Sequence, residues 1–146
     1  MTKAAKLTRN ETLVLDALRQ GTGPLTAYQI LDMLRPEGIK APLQIYRALR
    51  ALSGRHLVHR LESQNAFVAC SHGHHEGHRH TVIFLVCHAC QTVREAVDPG
   101  IDRAVARLAE AEGFAAADAA MEIRGLCPQC QAAGVRQTDE TVAPAD

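Results

Sequence analysis

The sequence predicts an α+β chain in two units, a helical unit closed by a β-hairpin and a small α/β unit held by metal. Three observations carry this prediction. Apolar spacing changes from a helical period to a period of two near His56, a strand, strand, helix, strand pattern begins near residue 80, and Cys-x-x-Cys occurs twice within the second unit.

Thr8-Arg9-Asn10-Glu11 has the pattern of a capping box, and Leu13, Val14, Ala17 and Leu18 follow at helical spacing, so a first helix runs to about Gln20. Gly21, Gly23 and Pro24 end it. Thr26 and Gln29 repeat the box, with Leu25 and Ile30 placed as its hydrophobic staple, and the second helix stops near Pro36-Glu37-Gly38. In a third helix Pro42 suits the first turn, and Ile45, Leu49 and Leu52 make an apolar stripe that Arg47 and Arg50 avoid. Gly54 is read as its terminator. Residues 56–62 read as a strand with Leu57 and Leu61 on one face, Ser63-Gln64-Asn65 turns the chain, and residues 66–70 return. Three helices and a hairpin make the order of a winged helix-turn-helix, assigned to residues 1–70.

A His-rich stretch, residues 71–79, reads as a hinge loop. Strands over 81–86 and 92–97, a helix over 99–112 carrying Ile101, Val105 and Leu108, and a strand over 120–124 form an α/β unit spanning 80–131. Residues 132–146 lack periodicity and are expected to be a disordered tail. Two units of about 70 residues lie near the lower limit for self-sufficient folding, where a metal or a partner is often needed.

The chain has no net charge at pH 7, yet residues 1–69 hold ten Lys/Arg against five Asp/Glu, which leaves six against eleven for the rest. A polyanion is therefore drawn to the first half. No apolar run is long enough to span a bilayer, and the start lacks the apolar stretch of a signal peptide, so the expected location is the cytosol, with no membrane partner. In a reducing compartment five cysteines argue for metal or thiol chemistry over a disulfide framework.

Cys87-His88-Ala89-Cys90 and Cys127-Pro128-Gln129-Cys130 are separated by 36 residues. Two residues between cysteines let both sulfurs face one ion, and two such turns supply four thiolates in a tetrahedron, the shell of a structural zinc. The competing readings, redox dithiols or unrelated buried cysteines, explain one pair but not two.

Strand parity adds a second group. His59 is in phase with Leu57 and Leu61, His80 with Val82, Phe84 and Val86, and Glu95 with Val93 and Val97, each polar where the pattern calls for an apolar side chain. Cys70, in phase with Val68, is a fifth sulfur outside both pairs. Taken singly, each is more often a hydrogen-bonded core residue or a small hydrophobe. Together, two imidazoles, a carboxylate and a thiolate suit tetrahedral Zn(II) better than the oxygen-rich shells of manganese or magnesium, giving two zinc ions per subunit. His78 and His88 are substitutes for His80, and His72, His74, His75 and His78 form either a weaker third site or a solvated loop.

The string Gln44-Ile45-Tyr46-Arg47-Ala48-Leu49, the hairpin after it and the paired Cys-x-x-Cys motifs resemble the ferric uptake regulator (Fur) family over residues 7–131. The resemblance implies a winged-helix DNA-binding domain, an α/β dimerisation domain, and repression when metal is bound. Within that family the chain is most similar to the zinc uptake regulator branch, whose regulatory ligands fall on His59, Cys70, His80 and Glu95. The His-x-His-x-x-Cys spacing and helix-end histidine of the iron-responsive branch are missing, since residues 115–124 contain no His. The implied function is a zinc-responsive repressor of zinc uptake genes that binds double-stranded operator DNA as a homodimer; the alternative is a family member sensing another metal or peroxide.

On this reading the third helix enters the major groove with Gln44, Tyr46, Arg47 and Arg50, Tyr28 adds a contact from the second helix, and Lys3, Lys6 and Arg9 meet the backbone. No small-molecule substrate is expected. A zinc hydrolase needs an open coordination position and a nearby base, and a full four-ligand shell offers neither. A metal-storage module would account for the His-rich loop but not for the basic first half.

Overall fold

A computed structural model describes residues 5–71 and 81–136 of the chain. The chain divides into two compact units, Met1–Arg79 and His80–Asp146. His72, His74, His75, His78 and His80, most of the expected hinge loop, Lys3 and the end of the expected tail lie outside the described residues.

In the first unit α1 (Arg9–Gln20), α2 (Ala27–Leu34) and α3 (Pro42–Gly54) precede a hairpin of β1 (Val58–Leu61) and β2 (Ala66–Ala69). Both predicted capping boxes form. Thr8 Oγ1 accepts from the Glu11 N–H at 3.2 Å while the Glu11 carboxylate accepts from the Thr8 N–H at 3.1 Å, and Thr26 with Gln29 does the same for α2. Each box satisfies orphan donors of the first turn. α2 gives way to a 3-10 turn over Arg35–Glu37, ended by Gly38 at φ 90, where a side chain would be strained.

The start of α3 was expected to rest on Pro42, but Gln44 also holds it. Its Oε1 accepts from the backbone N–H groups of Lys40 and Ala41, each at 3.2 Å. The helix ends at Gly54 as expected, although this glycine does not take the left-handed conformation. It is the last helical residue, and His56 takes the left-handed conformation at φ 56, with its N–H donating to the Ser53 carbonyl.

The hairpin pairs Val58 with Ala69 and Leu61 with Ala66 around a 3-10 turn that ends at Asn65, φ 46. Its burial is not the one-faced alternation expected. Val58 and Leu61 are buried and Leu57 only partly so, because Val58 and Leu57 both pack on the helical core. Leu25, ahead of α2, exchanges two backbone hydrogen bonds with Phe67, which ties the hairpin to the helices.

The core of this unit joins Val14 and Leu18 of α1, Ile30 and Leu31 of α2, and Ile45, Leu49 and Leu52 of α3 to Val58 and Phe67. Leu49→Ala is expected to cost about 2–5 kcal/mol, since a fully packed leucine leaves a cavity that rigid helices close only in part. Urea unfolding followed by circular dichroism measures this loss.

In the second unit β3 (Val82–Cys87), β4 (Val93–Ala96), α4 (Pro99–Ala111), β5 (Ala120–Gly125) and the short α5 (Pro128–Ala132) follow in order. The sheet runs β4-β3-β5, with β4 antiparallel and β5 parallel to β3. A parallel neighbour requires a crossover, and α4 provides it. Asp98 caps α4 through the N–H groups of Gly100 and Ile101, and Asp102 accepts the Thr81 N–H at 2.6 Å, fastening the helix to the entry of β3. Among the described residues of this unit few side chains are buried: Thr81, Ile83, Phe84, Val86 and Cys87.

Candidate metal centres and nucleic-acid interface

β3 ends at Cys87, and a tight turn follows it. The Gln91 N–H donates to the Cys87 carbonyl at 2.9 Å, Gln91 takes φ 62, and its side-chain amide donates to the His88 carbonyl. The His88 N–H donates to the carbonyl of Gly125, the residue that pairs with Cys87 at the end of β5. Parallel pairing therefore delivers the second Cys-x-x-Cys to the first. Cys127 then caps α5, its sulfur accepting from the Cys130 N–H at 3.5 Å.

The four sulfurs of Cys87, Cys90, Cys127 and Cys130 lie within 4.8 Å of one another. Cys90 Sγ and Cys127 Sγ are 3.7 Å apart. A regular tetrahedron with Zn–S bonds of about 2.3 Å has an edge of about 3.8 Å, so donor type and spacing both fit zinc.

The electrostatics of the bare cluster point the same way. Cys87 is pulled down to about 6, first by the backbone N–H of Cys90 and then by that of Cys127, which stands 3.4 Å from its sulfur. Cys90 is lowered chiefly by the Thr92 hydroxyl, 3.0 Å away. Cys130 is pushed up to about 12, chiefly by its hydrogen bond with the Cys127 side chain. Crowded sulfurs share protons because four adjacent thiolates repel, and a cation removes that conflict. Thr92 escaped the sequence reading, although its place two residues after Cys90 was a usable signal.

His59 stands on β1 opposite Val68, and Cys70 extends the ladder beyond β2, its N–H donating to the Leu57 carbonyl at 2.8 Å. This register brings the ligand atoms of His59 and Cys70 within 4.8 Å of one another, with His59 Nε2 buried. In the second unit Glu95 is half-buried on β4, opposite Phe84. His80 lies outside the described residues. His88 sits in the turn of the cysteine cluster.

α3 turns Ile45, Ala48, Leu49 and Leu52 inward, which leaves Tyr46, Arg47 and Arg50 exposed on the opposite face. Tyr46 is 45% and Tyr28 62% exposed, which leaves both rings open to contact. Two expected contacts carry structural tasks. Gln44, read as a DNA contact, is half-buried and caps its own helix through Oε1. Arg9, read as a phosphate contact, donates to the Glu37 carbonyl at 2.9 Å and stands 3.7 Å from its carboxylate, tying α1 to the turn after α2. Lys6 is exposed. Among the described residues no helix is long and apolar enough to cross a membrane.

The family model described as the ferric uptake regulator family matches residues 2–124. The zinc uptake regulation protein of Escherichia coli (strain K12) is 33% identical over 126 residues, covering 86% of this chain and 72% of that protein. The ferric uptake regulation protein of Legionella pneumophila is also 33% identical, over 130 residues, covering 86% and 91%. Among solved structures, a zinc uptake regulator complexed with zinc and DNA superposes with a TM-score of 0.80 at 31% identity, covering 92% of this chain and 89% of that one.

Proposed function

This chain belongs to the ferric uptake regulator family, and on that premise we propose that it is a zinc-responsive repressor which binds operator DNA as a homodimer and controls zinc uptake genes. The observation that carries this reading is the placing of a soft donor pair, His59 and Cys70, at the base of a hairpin in the same unit as the outward Tyr46, Arg47 and Arg50. An ion held there bears directly on how a DNA-reading helix is presented.

In this reading residues 1–70 read DNA, 71–79 form a hinge, and 80–131 form the dimerisation domain. Cys87, Cys90, Cys127 and Cys130 hold a structural zinc, a closed shell with no position left for a substrate. His59 and Cys70 share a second zinc with His80 and Glu95 from the other unit. A bound zinc would supply one dication, whose charge the Cys70 thiolate and the Glu95 carboxylate would neutralise while the neutral imidazoles of His59 and His80 complete the donor set. The donors favour the arrangement in which they converge, and in a symmetric dimer that sets the separation of the two α3 helices. Helices about 34 Å apart enter successive major grooves. Leu108, Phe114, Met121 and Ile123 are each exposed in the second unit, apolar side chains that a second copy of the chain could cover. The chain acts where the DNA is, in the cytosol, and as a regulator rather than an enzyme.

The similarity to a ferric relative favours a second reading, in which another metal is sensed. The Cys70 thiolate speaks for zinc, because hard oxygen-preferring ions gain little from sulfur.

The test is DNA binding by the purified dimer against buffered free zinc. Binding is expected to rise only as a second zinc per subunit fills, with manganese and ferrous iron less effective at equal free concentration. Binding that ignores zinc, or that responds best to another ion, would overturn the proposal.

A further inference from the structure

On α3 the buried stripe Ile45, Ala48, Leu49 and Leu52 leaves Leu43, Tyr46, Arg47 and Arg50 as one outward stripe at positions i, i+3, i+4 and i+7. Three of these four side chains carry polar or cationic groups. Leu43 does not, yet it is 58% exposed and follows the helix-starting Pro42 in the first turn. A leucine within a cationic stripe neither builds the core nor aids solubility, so its surroundings point to a surface that is anionic and offers an apolar spot. Duplex DNA has that chemistry. Its phosphates meet arginines, and the C5-methyl of thymine is the apolar group on the floor of the major groove.

Resting on the proposed function, we propose that Leu43 is a specificity residue that packs on a thymine methyl in each operator half-site. Docked recognition helices contact base edges with their N-terminal residues, and Leu43 stands at that end. Arg47 lies one turn on, about 6 Å along the axis, so it and Leu43 reach base pairs about two steps apart. Gln44 is occupied in capping the same turn, which holds Leu43 on a rigid backbone. A rigid platform makes an apolar contact selective, since no rotamer-rich loop can reshape around the wrong base.

The experiment takes duplexes recovered from a random pool by the zinc-loaded wild-type dimer. Each thymine is then replaced singly by deoxyuridine, which removes the methyl and keeps every hydrogen-bonding edge. At one thymine per half-site, loss of the methyl is expected to weaken wild-type binding about fourfold, the value of one buried methyl-sized group. Leu43→Ala is expected to bind the thymine duplex more weakly and to be indifferent to deoxyuridine at that position while keeping its sensitivity elsewhere. Leu43→Met, which retains apolar reach, is expected to restore the sensitivity. Equal deoxyuridine profiles for wild type and Leu43→Ala would overturn the role of Leu43 and leave the repressor reading intact. Failure of the zinc-loaded dimer to select any duplex would overturn both.

Discussion

Cys127→Ser is expected to remove one zinc per subunit, unfold the second unit and leave the chain monomeric. The second unit has little else to hold it. No residue of α4 or α5 is buried within the protomer, and among the described residues the buried apolar side chains of this unit are Ile83, Phe84, Val86 and Cys87 of a single strand. The cysteine cluster ties the ends of β3 and β5 together, and structural zinc contributes roughly 10–16 kcal/mol in small metal domains, more than such a core can replace. The first unit has a core of its own and is expected to stay helical. Metal analysis, sedimentation and circular dichroism read the three outcomes separately. A dimer that keeps its full zinc content after the substitution would refute the structural assignment of the cluster.

Cys70→Ala is expected to leave the fold, the dimer and the Cys87, Cys90, Cys127 and Cys130 zinc in place while abolishing the response of DNA binding to zinc. Cys70 is half-buried at the end of a hairpin and its backbone N–H, not its sulfur, maintains the ladder to Leu57. A small side chain is therefore tolerated there. The loss should be about 5-fold to 150-fold in DNA affinity at saturating zinc, the range of ordinary coupling free energies. Glu95→Ala is expected to do the same from the other unit. Should Glu95→Ala respond to zinc as wild type does while Cys70→Ala does not, the ion is held by the first unit alone, and the idea of a clamp between units is wrong.

Local signals made much of this molecule legible. The capping boxes at Thr8 and Thr26 form because three-residue spacing and side-chain type settle them within one turn. The quartet was readable because a chelating turn leaves a two-residue signature. The missed features depend on neighbours distant in sequence or on alternatives of similar energy. Nothing near Arg9 announces Glu37, 28 residues away. Gln44 looked outward-facing until its amide found the two N–H groups ahead of α3. α5 is too short for a periodic pattern to declare it.

Sequence by itself singled out the side chains whose chemistry suits a metal or a polyanion and set the helix caps, because donor softness, charge and capping geometry belong to the side chains and their nearest neighbours. Only tertiary structure decided how those groups meet. Parallel pairing of β5 with β3 carries Cys127 and Cys130 to Cys87 and Cys90, and the hairpin register sets His59 beside Cys70. Such pairings are chosen by the cooperative burial of whole strands, a sum over many contacts that no short stretch of chain contains.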